Sequence, residues 1–378
     1  MTLSRRKTLA LIGGGTILAA TSAAAIAVTR TPQAAIAPWS LAGGYDDPRL
    51  RALSFAILAP NPHNRQPWKV DIATPGEVAL YVDGDRLLPH TDPFSRQIVI
   101  GLGCFLEVMR MAALEEGLAV ETVVFPEGSA PDRLDARPVA LCRFVETEAA
   151  RDPLFAQVPH RRTLKEPFDV ARPVDRSVLD RVLAAARATQ VAGTVDPQDI
   201  GALRELSREA LRIEIETPRT YKESVDLFRI GRREVNANPD GIDFSGPMFE
   251  AMALTRTFTR EAALNRESMA YTEGLKAVYA NAETAMGHLW QVTTSNTRAD
   301  QISAGRDWVR LNLAATAEGL GIQPLSQALQ EYPEMAVLYD QIHGRLAPEG
   351  GIVQMFARIG YGPQVGASPR WPLEEKIV

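Results

Sequence analysis

Residues 103–118 align without a gap on residues 305–320, a shift of 202 along the chain, and both stretches end in Ala-Ala-x-x-Glu-Gly-Leu. Apolar positions match at helical spacing: Leu106 with Trp308, Met109 with Leu311, Ala112 with Ala314 and Ala113 with Ala315. Gly117 and Gly319 stand where a left-handed residue ends a helix. Two core helices so far apart in 378 residues imply two halves, each organised around one of them. Two unrelated amphipathic helices sharing that ending are the plainer alternative. With 46% hydrophobic residues, the chain has ample apolar side chains for a folded core.

Upstream of the first helix runs Leu58-Ala59-Pro60-Asn61-Pro62-His63-Asn64-Arg65-Gln66-Pro67-Trp68. Pro60 and Pro62 fix φ and bias their predecessors toward extended backbone, so Asn61, His63 and Asn64 present polar atoms from a stiff loop. The run resembles the Pro-Ser-Ser-x-Asn-x-Gln-Pro-Trp loop of FMN-dependent nitroreductases, with Asn61 and Pro62 in place of the serines. A second segment, His160-Arg161-Arg162-Thr163-Leu164-Lys165-Glu166-Pro167-Phe168, resembles that family's phosphate element Arg-Arg-Ser-x-Arg-x-Phe. The tail Ser368-Pro369-Arg370-Trp371-Pro372-Leu373-Glu374-Glu375 is similar to its C-terminal Ser-Arg-x-Pro-Leu-Glu-Glu. The resemblance implies FMN as cofactor. Arg161, Arg162, Thr163, Lys165 and Arg370 would surround the phosphate, and Asn61, Asn64 and Gln66 would lie nearer the ring. Backbone N–H groups of the segment Pro324-Leu325-Ser326 would approach flavin N5 and O4, although Pro324 itself has none to offer. No catalytic side chain is implied, because the flavin carries the hydride.

The motifs stand in an unusual order. In the family the phosphate element precedes the loop within one subunit, and each flavin lies between two subunits; here the loop comes first. A fused pseudo-dimer would build one composite site from both halves. The counterpart of the loop, residues 183–189, has neither the prolines nor the Asn-x-Gln-Pro-Trp, and residues 46–51 offer no Arg-Arg-Thr, so the second site is expected to be empty. The chain resembles the fused subgroup of mycobacterial FMN-sequestering nitroreductase-like proteins. The expected architecture is α+β, a nitroreductase-like fold with two tandem halves forming an internal pseudo-dimer: residues 1–40 a signal and linker, 41–150 the first half, and 151–378 the second. Residues 221–298, rich in Arg, Met, Phe and Tyr and without counterpart in the first half, are expected to form helices that cover the flavin as a lid. A helical insertion packed away from the site is the alternative.

Alternation predicts a hairpin from 68–72 and 78–83 around Pro75-Gly76, and strands over 120–125, 139–145 and 352–359. A helix is expected over 175–188. Ser4-Arg5-Arg6-Lys7-Thr8-Leu9, followed by an uncharged run over 10–29, looks like a twin-arginine export signal, with the twin-arginine translocase as partner and the periplasm as destination. The run is also about long enough to cross a bilayer, so an uncleaved anchor stays open. A net charge of −5 gives no basic field for nucleic acid. The five histidines and two cysteines lack metal-site spacing, and Cys104 and Cys142 read as buried free thiols.

Two functions follow. One is an FMN-dependent oxidoreductase of nitroreductase type acting on a small electron-poor molecule; the other is a flavin-binding or storage protein whose lid closes the site.

Overall fold

The computed structural model describes residues 31–378. The expected export signal, with Arg5, Arg6 and the run over 10–29, lies outside the described residues.

Two helices of 20 residues, Arg96–Glu115 and Arg298–Ala317, cross at the centre of the molecule. Their closest approach is at Gly103 and Gly305: a Cβ on either glycine would stand 2.9 or 2.8 Å from the other's Cα, as well as against a carbonyl of the facing helix. Only glycine permits such contact between backbones. The Arg96–Glu115 helix is long and apolar enough to cross a membrane, but 89% of its most apolar window is buried inside the protein, as befits a core helix.

Each central helix is served by a four-stranded antiparallel sheet. In the first half β1 (Trp68–Asp71), β2 (Glu77–Val82), β3 (Leu118–Val124) and β4 (Ala140–Glu146) have the order β1-β2-β4-β3. In the second, β5 (Gln190–Thr194), β8 (Gly287–Thr293), β9 (Gly321–Pro324) and β10 (Ile352–Gly360) have the order β5-β8-β10-β9. In both halves the central helix lies between the second and third strands in sequence. Even a surface ion pair recurs: Arg51 with Glu116 and Arg181 with Glu318, the two glutamates being repeat mates. One apolar core runs through both halves, from Trp68 and Phe105 to Trp308 and Ile359. The molecule is α+β.

Where β1 and β2 are joined by the turn at Pro75-Gly76, β5 and β8 are separated by an insertion spanning residues 195–286. It holds the helices Pro197–Glu216, Pro218–Asp226, Gly231–Ala237, Pro247–Leu254, Arg260–Leu264 and Met269–Glu283, and a short parallel pair, β6 (Phe228–Ile230) and β7 (Ile242–Phe244). The expected lid boundaries of 221 and 298 are therefore displaced. Six of the seven β8 residues are buried, so the strand shows no alternation in sequence. The helix expected over 175–188 spans only Arg176–Leu183, because the Asp307 carboxylate takes the N–H groups of Arg187, Ala188 and Thr189 and draws the chain into β5. After β10 the tail returns to the first half, where Ile377 bridges Val70 in parallel and the Val378 N–H donates to Val70 O at 2.9 Å.

Candidate functional site

One face of the Arg96–Glu115 helix forms the floor of the site. A Cβ on Gly101 would meet Asn61 and Pro62 at 3.1 and 3.2 Å, so the proline-stiffened loop rests on that turn. One turn further, Cys104 donates its thiol hydrogen to Gly305 O, and the charge of Arg161 reaches it. The loop and the Arg161 segment, about a hundred residues apart in sequence, thus stand side by side on one helix face.

The loop is strained. His63, Asn64 and Gln66 have φ of 46°, 52° and 51°, a left-handed conformation uncommon for residues other than glycine. Local clamps hold it. The Gln66 N–H donates to Asn61 Oδ1 at 2.7 Å, while Asn61 Nδ2 donates to Ala59 O. Backbone strain clusters at functional sites because surrounding contacts must over-determine it.

Against the loop, Arg161 and Arg370 are 4% and 2% exposed. Among the described residues, neither has a carboxylate partner. Arg161 donates to Leu58 O at 3.3 Å and approaches Thr163 Oγ1 at 3.5 Å. Arg370 donates to Ile57 O, Leu58 O, Ala59 O, Asn64 Oδ1, Ser368 Oγ and Pro369 O, which occupies all its N–H groups. Arg162 stacks over Trp39, 4.4 Å from the ring centroid. Burial pushes the Arg161 guanidinium down to about 10; burial, then the neighbouring Arg161 and Arg162, push Arg370 well below its usual range. Arg161 and Arg370 are thus buried guanidinium groups without a counter-charge, and such a charge is costly until an anion offsets it.

Lys165 and Asp243 of β7 keep accessible surface, yet the surrounding protein desolvates them, lowering the Lys165 pKa and raising that of Asp243. Burial, then Lys165 and Arg65, push the His63 imidazole down to about 4.

Several expected ligands are employed otherwise. Asn64 donates to Pro369 O and accepts from Arg370, so it binds the tail. Gln66 is fully buried. Its side chain donates to Pro239 O and accepts from the Trp371 N–H, while its carbonyl accepts from Lys376, a clasp joining loop, insertion and tail. The Leu325 N–H is spent on Phe356 O, and Ser326 Oγ faces the same carbonyl, so in segment 324–326 the donor expected from Leu325 is already used. Pro324 pairs with Ala357 at the end of β9. That strand reaches segment 160–168 through the Leu164 N–H, which donates to Ile322 O at 3.2 Å.

The insertion touches both the loop and segment 160–168. Asp240, 5% exposed, pairs with Arg65, Arg86 and Arg229. The Gly241 N–H donates to Asn64 O, Asn281 to Lys165 O and the Phe168 N–H to Thr284 Oγ1. Behind β7, Phe228, Phe244, Phe249 and Phe258 form an aromatic cluster. Asp240 and Asp243, in the insertion, escape a sequence reading, whereas His63 stands in the loop the prolines marked. Cys104 and Cys142 are buried and free.

Around residues 183–189, the loop's counterpart in sequence, the protein's own charges are paired. Arg310 donates to Asp152, Glu107 and Ala185 O, and Arg110 and Arg187 also pair with Asp152. Every arginine of that cluster has a carboxylate.

No family model matches the chain. It is 26% identical over 331 residues to a Mycobacterium tuberculosis protein named "Putative NAD(P)H nitroreductase Rv3131", covering 85% of this chain and 86% of that one. A second protein of that organism, "Putative NAD(P)H nitroreductase acg", is 28% identical over 335 residues, covering 86% and 93%. Among solved structures, the FMN-dependent nitroreductase NfnB from Mycobacterium smegmatis in complex with NADPH is similar over 57% of this chain and 92% of its own, at 19% identity and a TM-score of 0.32.

Proposed function

We propose that this chain is an FMN-dependent oxidoreductase of nitroreductase type, a tandem pair of nitroreductase-like halves holding one FMN per chain. The observation that carries the reading is the pair of buried guanidinium groups, Arg161 and Arg370, without a carboxylate, beside a strained polar loop on the Arg96–Glu115 helix. A phosphate dianion supplies the missing charge. The names of the similar mycobacterial proteins support the reaction class.

Arg161, Arg162, Thr163 and Lys165 would hold the phosphate, with Arg370 adding its charge while its N–H groups brace the loop. Asn61 keeps one amide hydrogen for the ring side, and Ser326 lies beyond the end of β9. When bound, FMN supplies hydride transfer through N5 to a small electron-poor acceptor. The chain's own part is placement, exclusion of water by the insertion, and a cationic field at the phosphate end. In the other half's cluster Arg110, Arg187 and Arg310 are each already paired with Glu107 or Asp152, which supports a stoichiometry of one.

A second reading, flavin storage, is favoured by one observation: the insertion is bonded to both the loop and the Lys165 segment through Asp240 and Asn281, as a closed cover would be. The test is anaerobic reduction of the purified flavoprotein with NADPH, followed by a nitroaromatic or a quinone. Reduction and reoxidation at the acceptor's expense support the enzyme; a flavin that neither donor nor acceptor reaches supports storage. We also propose that Arg5 and Arg6 direct the folded, flavin-loaded protein to the twin-arginine translocase and the periplasm, a route suited to a cofactor inserted before export.

A further inference from the structure

The chain between Leu164 and Phe168 is held more closely than an exposed turn requires. Leu164 and Phe168 are buried, while Lys165, Glu166 and Pro167 between them keep accessible surface. Both anchors sit in a slot that glycines leave open: a Cβ on Gly321 would stand 2.6 Å from Leu164 Cδ2, and one on Gly360 2.5 Å from Phe168 Cδ2. The three carbonyls from Leu164 to Glu166 each have a donor. Arg358 Nη2, from β10, donates to Glu166 O at 2.7 Å and to Leu164 O at 3.2 Å, and Asn281 Nδ2, from the helix Met269–Glu283, donates to Lys165 O at 2.8 Å. Arg358 is itself fixed. It is fully buried, its Nε donates to Gln323 Oε1 at 2.6 Å and its Nη1 to Thr284 Oγ1 at 3.3 Å, and its guanidinium lies over the Phe168 ring, 3.9 Å from the centroid. A guanidinium buried whole among neutral hydrogen-bond partners is costly, and here it stands directly behind an exposed cation. The Lys165 side chain has no hydrogen bond among the described residues, so its backbone is held while its ammonium group is left for another partner. Fixing a group where it will bind lowers the ordering cost at association.

We propose that Arg358, with Asn281, is a positioning residue for the cofactor: by fixing the carbonyls of Lys165 and its two neighbours it aims the Lys165 ammonium group at the FMN phosphate. The inference rests on the FMN reading and extends it to residues that do not touch the cofactor.

The test is a double-mutant cycle. FMN is titrated by fluorescence quenching into apoprotein of the wild type, Arg358→Met, Lys165→Ala and the double variant, and the melting temperature of each apoprotein is recorded. Arg358→Met and Lys165→Ala should each lower affinity by about tenfold, the worth of one charge-assisted contact. The double variant should bind less than about threefold more weakly than Lys165→Ala, since a positioning residue matters little once the group it positions is gone. Should Arg358→Met fail to fold, Arg358→Lys, which keeps the charge with fewer donors, and Asn281→Ala go through the same cycle and are read in the same way. Losses that simply add overturn the proposal by marking a general structural role, as does unchanged affinity in Lys165→Ala or in the Arg358 variant. Wild-type apoprotein that takes up no FMN overturns the functional reading as well, and so separates the two failures.

Discussion

Gly103 and Gly305 touch, and they do so reciprocally. A Cβ added to Gly103 would press on the carbonyl of Ile302, and one added to Gly305 on the carbonyl of Ile100. Ile100 and Ile302 are themselves separated by 202, as the glycines are. The repeat in the sequence is thus a local two-fold relation in space, and the central helices meet on it.

Gly305→Ala should cost about 2–3 kcal/mol or more, because the new methyl meets backbone that cannot give way. Gly319→Ala, at φ 63° but with open space around its Cβ, should cost only about 1 kcal/mol. Urea denaturation distinguishes them; equal costs would mean that the helices do not cross at Gly305.

Arg161→Ala should weaken FMN binding by about ten- to a hundredfold, the worth of one charge-assisted contact. Arg370→Ala should act differently. It strips donors from Ile57, Leu58 and Ala59, so the apoprotein itself should melt earlier. Flavin content and apoprotein melting temperature, measured on both variants, check the division of labour.

Asp240→Ala would leave Arg65, Arg86 and Arg229 without their shared carboxylate. Breaking buried pairs of this kind costs about 3 kcal/mol, here concentrated at the seam between insertion and loop. Hydrogen exchange over residues 228–244 should accelerate, and FMN should dissociate faster. Unchanged exchange in that stretch would show that Asp240 is not the anchor.

Glu214 is raised to about 7, chiefly by burial, although Gln330 and Ser224 donate to it. In the unfolded chain it titrates near 4.5. The folded state therefore holds the proton more tightly, so this contribution is complete below about pH 4.5 and is lost as pH rises through about 7. Glu214→Gln keeps the neutral form at every pH and should be more stable than wild type at pH 8, by up to about 3 kcal/mol, and equal to it at pH 4.5. Denaturation midpoints at the two pH values give the answer; an advantage at low pH would reverse the sign.

Replacing Arg5 and Arg6 by Lys keeps the charge and removes the guanidinium pair. If a twin-arginine translocase reads them, the folded variant should accumulate in the cytoplasm. Fractionation of expressing cells measures this, and equal periplasmic yield of both forms would exclude the signal.

The chain's primary order carried what depends on local chemistry. The helical period of the repeat, the left-handed stops at Gly117 and Gly319, the two prolines of the loop and the basic run at Arg161 all act within a few residues, so they can be read without coordinates. Partnership is different. That Arg370 spends its donors on the carbonyls of Ile57, Leu58 and Ala59, that Gln66 binds tail and insertion, and that Arg310 finds a carboxylate while Arg161 does not are decided by which backbone groups the packed helices and returning tail bring within 3 Å or so. A hydrogen bond is specified by both ends. The sequence names the donors, and only the tertiary structure, by closing the chain on itself across some three hundred residues, selects which acceptors remain for them and which charges are left for a ligand.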